Sequence, residues 1–269
     1  MKHLADFYKM KEDKIPISML TAYDYISGFI AQNSEIDIIL VGDSLGMVIQ
    51  GEESTISVSL KDIIYHSKIV RKGADRTFII ADMPYSSYHI DLATTKRNAF
   101  SLIIEAKANA VKIEGGNSQR IEVIKSLVDS EIPVCGHLGL TPQSINKFGS
   151  FKVQAKDSEA QDILLEQALD IQKAGAFMLV LECVPESIAT TVTEKLTIPV
   201  IGIGAGRYTD GQVMVWHDIL GLSCITPKFV KKYIDLKDII QENVKIYNDE
   251  VKGKQFPMKQ NVYFPIDKK

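Results

Sequence analysis

Five side chains in this sequence could do chemistry and share one kind of position. Asp43, Asp82, Glu114, His137 and Glu182 each follow a short apolar run: ILVGD, FIIAD, AVKIE, IPVCGH and AFMLVLE. Three carboxylates, Asp43, Asp82 and Glu114, with no cysteine or paired histidine beside them, form the donor set of a hard, oxygen-seeking ion, for which Mg²⁺ is the natural candidate. The competing account is structural, with Asp43 and Asp82 as turn or helix-cap residues and Glu114 as the ion-pair partner of Lys112. Lys112 and Glu114 stand two apart in a strand and therefore point to one face. A lysine on an inward face needs an anion, supplied either by these carboxylates or by an acidic substrate that it clamps. His137 is either a substrate-orienting hydrogen-bond donor or a satisfied core histidine. Glu182 ends a run apolar enough to strip water from its carboxylate, the condition that favours a general base; helix capping or arginine pairing is the alternative. Ser44, next to Asp43, offers a hydroxyl and a backbone amide.

Other features carry less. The segment IGIGAGRYTDGQ at 201–212 looks like a nucleotide loop but lacks the dinucleotide spacing and a Walker lysine. It either packs a tight seventh βα turn or binds an anion through backbone amides. Cys135, Cys183 and Cys224 are widely spaced, in or beside apolar runs, and read as buried free thiols. His3, His66 and His89 lack a strand-end setting, and His217 falls near the end of a predicted helix, where it would oppose the dipole.

The elements that must position these groups are legible as alternation. Short, β-branched apolar runs occur at 17–22, 36–42, 77–82, 109–114, 132–137, 176–182, 198–203 and 221–225. They are apolar rather than strictly alternating, as strands of a parallel sheet covered on both faces are. Between them, helices are predicted at 24–33, 59–72, 93–108, 118–130, 158–174, 186–195 and 210–218, and a further amphipathic helix at 232–252. Strand and helix alternating in this way predict a single (β/α)8 TIM barrel over 1–269, with additional N- and C-terminal helical segments. In such a barrel chemistry is done where strands end, which is where the five residues fall. The 31 basic and 34 acidic side chains nearly cancel and form no long block, which argues against a nucleic-acid surface. No apolar stretch is long enough to span a membrane, and MKHLADFYKMKEDK lacks a signal peptide's apolar region, so a cytoplasmic protein is expected.

At these residues the sequence resembles the ketopantoate hydroxymethyltransferase family. The matching segments are LTAYDY at 20–25, ILVGDSLGMV at 39–48, ADMPYSSY at 81–88, AVKIEGG at 110–116, PVCGHLGLTPQS at 133–144, LVLECVP at 179–185 and IGIGAGRYTDGQ at 201–212, in order along nearly the whole chain. The resemblance implies a (β/α)8 barrel that binds Mg²⁺ at Asp43 and Asp82, with Glu114 completing the carboxylate set. It implies contacts to a small oxoacid at Asp43, Ser44, Asp82, Lys112 and His137, and Glu182 as the general base. It further implies 5,10-methylenetetrahydrofolate as co-substrate and a homo-oligomer, usually a decamer of two pentameric rings. GSFKVQA at 149–155 and Lys107-Ala108-Asn109 depart from the usual pattern. A phosphoenolpyruvate mutase/isocitrate lyase-like barrel could use the same carboxylates, but its K-x-C-G-H loop is missing: Cys135-Gly136-His137 has no such lysine before it.

Overall fold

A run such as FIIAD can lie in a sheet only if both faces are covered, and a closed barrel does this by turning alternate residues inward. The computed structural model describes residues 1–149 and 152–265. Ser150 and Phe151, within the departing segment 149–155, lie outside the described residues. Strands β1 (Ile17–Thr21), β2 (Ile38–Val41), β3 (Phe78–Asp82), β4 (Ala110–Glu114), β5 (Val134–Gly139), β6 (Met178–Glu182), β7 (Val200–Ile203) and β8 (Gly211–Met214) pair in parallel, in sequence order, and close on themselves. The sequence-predicted (β/α)8 barrel is therefore what the chain forms.

Helices α1 (Leu4–Glu12), α2 (Tyr25–Asn33), α3 (Leu45–Val48), α4 (Leu60–Gly73), α5 (Leu92–Ile104), α6 (Ser118–Val128), α7 (Ile145–Phe148), α8 (Ser158–Lys173), α9 (Glu186–Lys195), α10 (Trp216–Ile219) and α11 (Leu236–Lys252) complete the element order. Side-chain caps start the long covering helices: Asp24 accepts from the Ser27 amide, Ser59 from Asp62, Asp91 from Thr94, Asn117 from Arg120 and Asp157 from Ala160. Asn109 ties the start of β4 to its neighbours, its Oδ1 accepting from the Ile79 amide at 2.8 Å and from Arg71 at 2.6 Å. Just before it, Lys107 takes a left-handed φ of 57°. By compact packing the chain has two units, Met1–Trp216 with Pro227–Val230, and His217–Thr226 with Lys231–Lys269. The barrel belongs to the first; α11 belongs to the second, and none of its residues is buried.

Inside the barrel the alternation fixes the layers. Phe78, Ile80, Ala110, Cys135, Met178, Val180 and Ile201 point inward and pack together, and α1 closes the floor with Phe7, its ring edge-on to Phe78 at 5.1 Å. Two residues further up the same strands, the inward positions become Asp82, Lys112, Glu114, His137 and Glu182. The apolar core thus changes to a polar layer at the C-terminal ends of the strands. Strand register sets neighbours within it, pairing Asp82 with Lys112 and Glu114 with His137.

The eighth strand and its preceding helix differ from the expectation. Residues 221–225 lie outside the sheet, with Ile225 77% exposed, and no helix separates β7 from β8. Apolar composition alone suggested GLSCI, whereas Gly-Gln-Val-Met at 211–214 carries the strand's alternation of buried and exposed residues. Gly211 is also required by close approach: a Cβ there would stand 2.2 Å from the Ile17 carbonyl oxygen on β1. The three cysteines are free, but only Cys135 is buried; Cys183 is partly covered and Cys224 is exposed. Among the described residues no helix is long and apolar enough to cross a membrane.

Candidate active site

Asp43, Asp82, Lys112, Glu114 and His137 are all buried, each at most 4% exposed, in a layer with almost no contact with solvent. Asp82 and Glu114 are the last residues of β3 and β4, His137 lies within β5, and Asp43 follows β2 in the turn to α3. The Lys112 ammonium stands 3.1 Å from Asp82 Oδ1 and 3.7 Å from Glu114 Oε1. His137 is suspended between two acids, its Nδ1 3.4 Å from Glu114 Oε1 and its Nε2 3.3 Å from Glu182 Oε2. Glu182 closes β6 and keeps some exposure, its side chain being 17% accessible. The next residue, Cys183, holds a left-handed φ of 49°, turning the chain sharply off the strand beside the Glu182 carboxylate. Its amide donates to the Ile203 carbonyl at 2.9 Å and its carbonyl accepts from the Gln154 amide at 2.8 Å, which holds that turn. Ser44 Oγ shares a 2.8 Å hydrogen bond with the Tyr23 hydroxyl.

Burial and mutual charge decide the protonation of this layer. Burial acts to neutralise Lys112, but the charges of Asp82, Glu114 and Asp43 outweigh it and the ammonium is held more firmly than in water. Burial and Lys112 both lower the His137 pKa. Its contacts with Glu114 and Glu182 reverse that and carry it up to about 9, so the ring is an imidazolium at neutral pH. Its Nδ1 lies between Glu114 Oε1 at 3.4 Å and Lys112 Nζ at 3.3 Å. Glu114 is lowered despite burial, by His137, Lys112 and the Gln143 amide. Asp82 is raised by burial, with Lys112 opposing. Asp43 rises furthest, from burial first and then from the charges of Asp82 and Glu114. Burial, with the Glu182 charge adding for Cys183, pushes both the Cys135 and Cys183 thiols up to about 12, so neither is a thiolate nucleophile at neutral pH.

The chain has known relatives. The family pattern described as ketopantoate hydroxymethyltransferase matches residues 2–259. The chain belongs to that family. It is 50% identical to the 3-methyl-2-oxobutanoate hydroxymethyltransferase of Bacillus cereus (strain G9842), over 96% of this chain and 92% of that one. The enzyme of the same name from Bacillus pumilus (strain SAFR-032) is 51% identical over the same shares. Among solved structures, a phosphonopyruvate hydrolase complexed with oxalate and Mg²⁺ superposes with a TM-score of 0.64 at 7% identity, over 97% of this chain and 93% of that one. The phosphoenolpyruvate phosphomutase of Streptomyces platensis subsp. rosaceus gives 0.64 at 11% identity, over 94% and 88%. At such identities these two structures share the fold alone.

Two carboxylates of this barrel, Asp43 and Asp82, could hold a divalent cation. The Asp43 amide donates to Asp82 Oδ2 at 3.0 Å, which draws both acids to one point. Gly42 keeps that point open, since a Cβ there would meet Ser44 Oγ at 2.9 Å and Asp82 Oδ2 at 3.4 Å. Asp82 Oδ1 and Glu114 Oε1 are buried oxygens that stand within ion-pair distance of Lys112, and Glu114 Oε1 of His137 also, but make no hydrogen bond. Burial raises both Asp43 and Asp82, and two neighbouring carboxylates are donors that fit a hard cation at this corner. Among the described residues no three His, Cys, Asp or Glu side chains are already gathered as a ligand shell. Glu114 is engaged on both oxygens, with Oε2 accepting from the Gln143 amide at 3.0 Å.

Gln143 and Tyr88 escaped the reading of the sequence. Gln143 Nε2 donates to Asp43 Oδ2 at 2.7 Å, and the Tyr88 hydroxyl donates to Gln143 Oε1. Both lie in turns after the strands, and the only signal for them was the TPQS and ADMPYSSY segments in which they stand. His66, which lacks a strand-end setting, bonds the Tyr23 carbonyl at 2.6 Å.

Proposed function

We propose that the chain transfers a one-carbon unit from 5,10-methylenetetrahydrofolate to 3-methyl-2-oxobutanoate, consuming one water and giving 2-dehydropantoate (ketopantoate) and tetrahydrofolate. In this reading it works with Mg²⁺ as a cytoplasmic homo-oligomer, a decamer by family resemblance. The observation that carries the reading is the buried layer in which one imidazolium joins Glu114 to Glu182 beside the Asp43–Asp82 pair, in a chain half identical to enzymes of that name.

Asp43 and Asp82, with Glu114 completing the carboxylate set, would hold a divalent cation, whose positive charge would polarise the oxoacid and lower the barrier to losing its C3 proton. Glu182 takes that proton. It is the acid of the layer most open to the mouth, and His137 fixes its orientation through Nε2. Lys112 stays charged whatever the pH of the cell and offsets the acids, so an anionic substrate can enter a site that already holds carboxylates. Ser44 and the polar edge of His137 orient the bound acid. The carbanionic C3 then bonds to the folate's methylene carbon, water replaces both of that carbon's bonds to nitrogen with one hydroxyl, and the two nitrogens take up the C3 proton and one proton of the water.

The test is product formation. The purified chain, given both substrates, should form ketopantoate, lose that activity to a chelator and regain it with added Mg²⁺. No ketopantoate with Mg²⁺ saturating would overturn the reading.

A further inference from the structure

From the hydrogen bonds around one turn residue, we infer that Gln143 is the positioning residue that sets the Asp43 carboxylate for the divalent cation; this rests on the function proposed above. Gln143 comes from the turn Pro142–Ser144 after β5, yet its side chain reaches the acid that follows β2. It is only 3% exposed. Nε2 donates to Asp43 Oδ2 at 2.7 Å and to the Met83 carbonyl at 3.0 Å, and Oε1 accepts from Tyr88. Both amide protons and the amide oxygen are therefore used, and the backbone N–H adds the bond to Glu114 Oε2 at 3.0 Å.

The direction of the amide is set by its partners. Turned over, Gln143 would aim its oxygen at a carboxylate and a carbonyl, three acceptors facing one another in a dry layer. Tyr88 prevents this, because its hydroxyl donates to Oε1. Tyr88 is fixed in turn by Arg120, whose guanidinium lies 4.9 Å over the ring and donates to the Tyr88 carbonyl at 3.1 Å. The bond to Gln143 occupies Oδ2 of Asp43 and leaves Oδ1 for a ligand. A glutamate at 143 would add a fifth acid beside Asp43, Asp82, Glu114 and Glu182, so an amide is the group that can hold Asp43 without competing for the cation. Residues behind a metal ligand commonly change metal affinity by about 10–100-fold when removed.

The experiment measures Mn²⁺ binding by electron paramagnetic resonance on the full chain, with the activation constant for the cation and thermal unfolding alongside. Gln143→Leu should bind Mn²⁺ about tenfold more weakly. Its activation constant should rise in step, while kcat at saturating cation moves far less. Tyr88→Phe should shift binding in the same direction by a smaller factor, and Glu182→Gln should bind as the unsubstituted chain does. Unchanged Mn²⁺ affinity in Gln143→Leu overturns the inference. If that variant does not fold, unchanged affinity in Tyr88→Phe overturns it instead. A parent chain that binds no Mn²⁺ would sink the functional reading itself, whereas a parent that binds and a Gln143→Leu that binds equally sinks only this step.

Discussion

Glu182 and Glu114 flank the same imidazolium, yet their surroundings separate their tasks. Glu114 is buried and set against Lys112, His137 and the Gln143 amide, which favour its ionised form. Glu182 meets the far nitrogen of His137 at 3.3 Å and keeps some exposure, its side chain being 17% accessible. Replacing it with glutamine preserves volume and a polar contact to Nε2 but removes the lone pair that accepts a proton. Glu182→Gln should therefore retain oxoacid and cation binding while exchange of the substrate's C3 proton falls by about 10²–10⁴-fold. Deuterium incorporation at C3 in heavy water, followed by NMR, measures this directly, and exchange at the parent rate would remove Glu182 from the role of base.

At the scale of elements, the barrel turns a two-residue repeat into a site. Phe78, Ile80 and Asp82 share one face of β3, as Ala110, Lys112 and Glu114 share one face of β4, so the inward stripe that fills the floor ends in the charged layer. Closure of the ring depends on β8 meeting β1, and there Gly211 passes too close to the Ile17 carbonyl for any side chain. Gly211→Ala should cost about 1–3 kcal/mol as the strands are forced apart. Urea unfolding checks this, and a midpoint equal to the parent's would show that the seam tolerates a methyl. Seven of the strands and the strand-end residues were legible in the sequence because both depend on local pattern, an apolar run and the polar residue that ends it. The eighth was not, since a four-residue strand containing glycine and glutamine has less apolar signal than the exposed run at 221–225. Gln143 was illegible for another reason: its partner Asp43 is 100 residues away, and nothing local to a turn tells which acid it will hold.

At the scale of the whole molecule, the unusual element is α11. Ile240, Val244, Tyr247 and Val251 recur at spacings of four, three and four, the seam of a helix that packs on another. Yet they are 46%, 60%, 57% and 43% exposed. Phe264 and Tyr263 beyond it are exposed as well, and α2 adds Tyr25, Ile26, Phe29 and Ile30 on the barrel unit. Exposed apolar residues of this kind, on each unit taken by itself, are what subunit interfaces leave when the chains are considered one at a time. The homo-oligomer of the functional proposal accounts for it if α11 is covered by a second copy. Light scattering on the purified chain should then give a mass several-fold above 30.0 kDa, ten-fold for a decamer. Ile240→Asp combined with Val244→Asp should lower that mass while leaving the circular dichroism of the barrel in place, because neither residue belongs to its core. A single-chain mass for the parent would refute the oligomer. An unchanged multiple in the double variant would place the interface elsewhere, with the α2 face next to be tested by Phe29→Asp.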